Sequence, residues 1–265
     1  MNYETILFEQ LGSIARISHN RPEFRNAENK QLLEELDDAI ARAGEDESIR
    51  VVILAGTGDH FSAGHDLKEG QAKRRSYSIE ERWAYEEEYF FDYCIRILNF
   101  PKPTIAQVQG ACIAGAFMVA NMCDLMIASE DAFFSDPVVH SMAVPGVEVM
   151  IHPWVLGARK AKELLFTGDK LTAQDGLASG MINRVVTRER LEEETLTLAQ
   201  RISEAPPFAI KLLKRSLNRT LDIQGLRNSL DAHFDTHLLS HFTEESKNLN
   251  KTGLEKVIQR SKSLN

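Results

Sequence analysis

The chain has 265 residues, 43% hydrophobic and 26% charged, an ordinary soluble-globular composition with enough length to bury a substantial core. A formal net charge of −8 argues against a general binder of nucleic acid or anionic membrane, so a polyanionic ligand would need a local basic patch. Cys94, Cys112 and Cys123 are odd in number and show no CxxC spacing, which excludes a disulfide framework and fits a reducing, cytoplasmic setting.

The opening MNYETILFEQ has no basic segment ahead of an apolar one, so no signal peptide is expected. Residues 1–20 read as two strands, with Ile6, Phe8, Ile14 and Ile17 alternating on either side of Leu11, Gly12 and Ser13. Residues 26–43 place Leu32, Leu33, Leu36, Ala39, Ile40 and Ala43 at helical spacing, with Asn26 or Asn29 as the cap. The run 50–54 is a buried strand, ended by Gly56, Gly58 and Asp59. A helix over 78–99 stops before Pro101 and Pro103. A strand at 104–108, a helix from about Gly115 and a strand at 125–128 follow, giving a strand–strand–helix unit. Residues 105–128 are apolar, but Gln107, Gln109, Asn121 and Asp124 make a core segment of them rather than a membrane span. Residues 169–180 read as a helix capped by Thr172 and Asp175 and stopped by Gly180. From Arg188 the chain is helical, with one helix started by Pro206 and Pro207 and another over 223–242. Two units result: a core over 1–200 and a helical region over 201–265.

The segments 61–68 (FSAGHDLK) and 102–124 each read as a buried strand entering a glycine-marked turn. Two such turns can aim two backbone N–H groups at one carbonyl oxygen and stabilise the negative charge that develops there. NRPE at 20–23, FSAGHDLK at 61–68, KPTIA at 102–106, MCDL at 122–125, LFTG at 165–168 and LTAQD at 171–175 stand in one order along the chain. In these motifs, over roughly residues 5–190, the chain resembles the crotonase (enoyl-CoA hydratase/isomerase) superfamily.

That resemblance implies an α/β fold, a crotonase-like (ββα)n spiral superhelix with a C-terminal helical trimerisation region, and a homotrimer or dimer of trimers. It implies an acyl-CoA thioester as substrate, with coenzyme A as part of that substrate, no separate cofactor and no metal. The oxyanion donors would be the amides of His65 and Gly115. Arg25, Ala27, Ala63, His65, Asp66, Leu67 and Lys68 would line the coenzyme A path. Lys73, Arg74 and Arg75 either assist at the phosphates or form a solvated loop, and residues 71–91 would close the acyl pocket. Residues 246–253 (SKNLNKTG) depart from the family's usual C-terminal pattern.

The two glutamates that hydratases of this family use fall here on Met118 and Val138, neither of which can transfer a proton. Glu148, expected to open a helix after Val144, Pro145 and Gly146, is the first substitute. His140 and Asp136 are the others, since an extended 136–140 would point both to the same side as Val138. Hydration or double-bond shift of a 2-enoyl-CoA is the leading activity. The AGHD sequence also occurs in methylmalonyl-CoA decarboxylases, which keeps a CoA-ester decarboxylase or hydrolase open, and the apolar pair Met118 and Val138 would suit a silent acyl-CoA binder. His233, His237 and His241 recur every fourth residue, but no acidic fourth ligand is evident and the parallel stripe of Phe234, Leu238 and Phe242 reads as a packed face. Cys112, flanked by apolar residues, reads as core rather than nucleophile.

Overall fold

The computed structural model describes residues 3–68 and 76–249. Lys73, Arg74, Arg75 and residues 250–253 of the C-terminal departure lie outside the described residues.

Two sheets form the core. Strands β1 (Ile6–Leu11), β2 (Ile14–His19), β3 (Val51–Gly56), β4 (Thr104–Val108), β6 (Leu125–Ser129) and β9 (Arg184–Val186) make the larger, in that order. β1 and β2 are an antiparallel hairpin, and every later pairing in this sheet is parallel. The smaller sheet contains β5 (Ala111–Ile113), β7 (Phe133–Ser135) and β8 (Leu171–Thr172). The chain alternates between them, β4 to β5 and β6 to β7, which is the spiral that the resemblance implies. The turn from β4 to β5 needs glycine at Gly110, where φ is +55° and a Cβ would collide with the carbonyl of Asp59. Three-residue strands carry too little alternation to be read from sequence, and β5 and β7 were not expected.

β3 (VVILAG) is buried on both faces between β2 and β4, which explains its continuous apolar run. Helix α1 (Lys30–Glu45) covers one face of the sheet with Leu32, Leu33, Leu36, Ala39, Ile40 and Ala43, all buried. Of the two possible caps the structure uses Asn29, whose side chain accepts from the Leu32 amide at 3.0 Å. Leu36 is fully buried, and its truncation to alanine would cost about 2–5 kcal/mol. Helix α8 (Leu191–Ser203) packs its Leu191 and Ala199 on the opposite face. It runs through position 200, where the first unit was expected to end.

The helix expected over 78–99 is an α-helical segment α2 (Ile79–Glu86), a π-type stretch (Glu87–Asp92) and α3 (Tyr93–Leu98). Ser78 and Glu81 form its capping box. The helix predicted over 169–180 is α7 (Ala173–Ser179), with the Thr172–Asp175 box and a left-handed Gly180 as foreseen. Ile223 does not begin the last helix: it ends α9 (Pro207–Ile223), and Gly225, at φ +108°, turns the chain into α10 (Leu226–Ser240). α10 returns to the core through Leu226 and Leu230. Among the described residues no helix is long and apolar enough to cross a membrane.

Candidate active site

A cavity of about 470 Å³ opens between the two glycine-marked turns, α2, the 138–148 segment and α10. Its first wall is the strand-to-loop segment 61–65. Phe61 N donates to Gln109 O (2.7 Å), Ser62 N to Ala111 O (3.1 Å) and Ile113 N to Ser62 O (3.1 Å), which sets this segment alongside β5. Gly64 has φ +81°, and a Cβ there would stand 2.5 Å from the Ile113 carbonyl, so only glycine lets the two turns meet.

The second wall begins at Ala114, which has φ 48° and ψ −116°, a conformation that costs an L-residue about 1–3 kcal/mol. Its amide is tied to Ser135 O at 2.9 Å, and the next residue, Gly115, opens helix α4 (Gly115–Met122). The first amides of a helix have no partner within it. His65 and Gly115 both line the cavity, and the amide of neither makes a hydrogen bond among the described residues.

Met118 and Val138 also line the cavity, so the places where the resemblance puts proton-transfer groups are apolar here. Glu148 is the first residue of helix α5 (Glu148–Leu156), lines the same cavity and is 4% exposed. Its Oε2 is buried without a hydrogen-bond partner among the described residues. Burial, and next the negative charge of Asp136, push its carboxyl up to about 7. The turn ahead of it is pinned by α10: His237 Nδ1 donates to Val144 O (2.9 Å), His233 Nε2 to Pro145 O (3.0 Å), and Val144 N to Ser240 Oγ (3.1 Å). α10 thus fixes where Glu148 stands.

The expectation that residues 136–140 are extended is corrected. Pro137 starts a tight 3₁₀ turn over Val138–His140, so Asp136 and His140 part. His140 lines the cavity, but its Nε2 donates to the Phe166 carbonyl at 2.9 Å. Asp136 is fully buried and does not line the cavity. Its Oδ1 accepts from the Val138 amide at 3.3 Å, its Oδ2 lies 3.7 Å from His152 Nε2, and burial raises its carboxyl to about 7. His152, held by Asn121 at 3.1 Å and stacked on Phe117, is pushed down to about 4 by burial and is neutral. Asp136 therefore acts on Glu148 through its charge rather than by contact with the cavity.

Another part of the wall carries a cluster of which the sequence spacing showed only the histidines. Arg82 and Glu86 of α2 meet His237 of α10 and His241 just beyond it. Arg82 lies 2.5 Å from Glu86 Oε1 and 3.1 Å from His241 Nε2, and His237 Nε2 lies 3.5 Å from Glu86 Oε2. Burial pushes the Glu86 carboxyl up, but His237 and Arg82 more than offset this and hold it near 2. Glu86 supplies the acid of this cluster, and one atom each of Glu86, His237 and His241 fall within 4.8 Å of one another. The Arg82 guanidinium already stands between Glu86 and His241, which does not fit a metal ion there.

Toward the coenzyme A path, Arg25, Ala63, His65 and Leu67 line the cavity, whereas Ala27, Asp66 and Lys68 do not. Asp66 instead pairs with Arg21 at 3.2 Å. Arg25 and Asn26 both adopt left-handed φ, and buried Asn26 holds this turn through Thr57 O (2.9 Å) and His60 O (2.8 Å). Lys170 is a further basic group on the wall. Cys112 is buried, which raises its thiol well above the ordinary range, as a core residue. In the MCDL motif, Asp124 accepts from Thr104 N (2.8 Å) and Lys214 Nζ (2.7 Å), a clamp between β4, β6 and α9.

Residues 9–262 match the family model described as enoyl-CoA hydratase/isomerase. A putative enoyl-CoA hydratase of Mycobacterium tuberculosis is 40% identical over 258 residues, covering 90% of this chain and 81% of that protein. Among solved structures, an enoyl-CoA hydratase/isomerase from Xanthobacter autotrophicus Py2 superposes with a TM-score of 0.89 at 36% identity and covers 97% of each chain. A probable enoyl-CoA hydratase from Mycobacterium smegmatis gives 0.84 at 46% identity, covering 89% of this chain and 93% of the other. With the spiral of two sheets and a cavity-facing pair of glycine turns, these likenesses establish that the chain belongs to the enoyl-CoA hydratase/isomerase family of the crotonase superfamily, a family of enzymes.

Proposed function

We propose that the protein hydrates, or shifts the double bond of, a 2-enoyl-CoA thioester. The amides of His65 and Gly115 hold the thioester oxygen, and Glu148 moves the proton. The observation that carries this reading is Glu148: a buried carboxyl with an unpartnered oxygen on the cavity wall, held near neutrality by its surroundings. Charge that builds on the carbonyl oxygen during enolisation is met by the two donors, each worth about 3–4 kcal/mol when removed singly. Arg25 and Lys170 on the wall suit the anionic coenzyme A, while Met118 and Val138 offer apolar surface to the acyl chain. The reading requires no group beyond the coenzyme A of the substrate itself.

We further infer self-association through α9, which exposes Phe208 (70%), Leu217 (59%) and Ile223 (87%) along one helix. Three free thiols support a reducing compartment.

The test is a panel of enoyl-, malonyl- and methylmalonyl-CoA thioesters with wild type and Glu148→Gln. Hydration or isomerisation of the enoyl thioesters, falling about 10²–10⁴-fold in Glu148→Gln, is the expected outcome. Carbon dioxide release from the malonyl thioesters alone, or unchanged turnover in the variant, would overturn it.

A further inference from the structure

His65 on the cavity wall and Glu28 behind it form a second polar device that the scheme above leaves unused. Glu28 is 2% exposed, deep behind the first oxyanion turn. His65 Nδ1 lies 3.2 Å from Glu28 Oε2, while His19 Nε2 is 4.0 Å and Ser62 Oγ 3.5 Å from Oε1. Burial pushes the Glu28 carboxyl up, but His65 beside it more than offsets this and the net direction is down. Burial lowers His19, against the pull of Glu28. A buried carboxylate demands a compensating partner. Of the two rings around it, only His65 also reaches the cavity.

The placement of that ring is tightly set. It stacks on Phe90 with centroids 4.0 Å apart, and its Cε1 and Nε2 stand over Gly115, so that a Cβ there would collide with them. Nδ1 faces the Glu28 carboxylate at 3.2 Å, which leaves Nε2 as the ring nitrogen turned toward Gly115. Nε2 therefore borders the two amides proposed to hold the thioester oxygen.

We propose that His65, held in orientation by Glu28, is the second acid/base of this site and serves the α-carbon of the bound thioester. The inference rests on the two-amide reading above, because that reading puts the α-carbon next to the ring. During hydration Glu148 takes one proton from water as its oxygen bonds to the β-carbon, and the electron pair of the double bond moves toward the thioester. The imidazolium of His65 gives its Nε2 proton to the α-carbon, forming the new C–H bond. Glu148 releases its proton to solvent and His65 takes one up, so the cycle closes with water as the only reagent consumed. Glu28 is a positioning residue, while Glu148 and His65 both line the cavity whose two expected glutamate positions are Met118 and Val138.

The experiment follows deuterium entering the α-carbon of butyryl-CoA, a saturated thioester, in D₂O, beside hydration of crotonyl-CoA. Wild type is expected to do both. His65→Gln should bind butyryl-CoA within about threefold of wild type by calorimetry yet lose about 10²-fold or more in both α-exchange and hydration kcat. His65→Ala opens space over Gly115, and added imidazole should restore part of its exchange, which a purely packing role would not allow. Glu28→Gln should lower kcat about tenfold with KM little changed. Exchange in His65→Gln within about threefold of wild type, with Glu148→Gln still inactive in hydration, overturns the role of His65 and leaves the two-amide reading standing. Absence of both reactions in wild type overturns that reading, and this inference with it.

Discussion

Asp136→Asn isolates the buried charge behind Glu148. The carboxyl of Asp136 is raised by burial to about 7, roughly three pK units above its ordinary value of 3.8. The folded protein therefore holds that proton more tightly than the unfolded chain. Its contribution is fully favourable only below about pH 4, declines as pH rises and reaches its full cost above about pH 7. Of the three units, about one is already spent at pH 5, so about two remain between pH 5 and 8.5. At about 1.4 kcal/mol per unit, wild type should lose about 2–3 kcal/mol relative to the variant across that interval. Asparagine keeps an oxygen for the Val138 amide but turns an N–H toward His152 Nε2, a penalty common to both pH values. Urea unfolding of both proteins at pH 5 and 8.5 reads the difference of differences. An offset that is equal at the two pH values would refute the assignment of a neutral-range carboxyl to Asp136. Loss of that negative charge should also move the Glu148 limb of the pH–rate profile downward.

Ala114→Gly relieves an L-residue at φ 48° and should raise the urea-unfolding free energy by about 1 kcal/mol, strain relief exceeding the entropy cost of glycine. Glu86→Gln removes the buried carboxylate that His237 and Arg82 face and should cost about 3–5 kcal/mol at pH 7. Because the Glu86 carboxyl is depressed to about 2, this loss should shrink as pH falls from about 4.5 toward 2, which urea titrations at pH 7 and pH 3.5 would show.

Much of the spiral is written in local pattern. The apolar run of β3, the helical spacing of α1 and the Thr172–Asp175 box each satisfy their own hydrogen bonds or bury their own face, so a short window suffices. Glu148 at a helix start was legible because Pro145 and Gly146 announce the turn. The extended reading of 136–140 fails at Pro137, whose fixed φ of −87° suits a turn and whose presence was the available signal. The boundary at Ile223 fails because the break is made by Gly225, two residues later. The pairings of polar groups around the cavity have no sequence signature. Arg82 and Glu86 meet His237 and His241 across more than 150 positions, and Glu28 meets His65 across 37, because neighbouring turns of the spiral stack there. The histidine repeat every fourth residue showed one half of its cluster, and only packing supplied the acid and the guanidinium.

On the proposed function, two main-chain amides polarise a thioester carbonyl. Difference infrared spectroscopy of crotonyl-CoA labelled with ¹³C at C1, bound to Glu148→Gln so that turnover is suppressed, observes that bond directly. The carbonyl band should lie at lower frequency than in free solution, as two donors at about 2.7–3.1 Å require. A band at or above the solution position would contradict it.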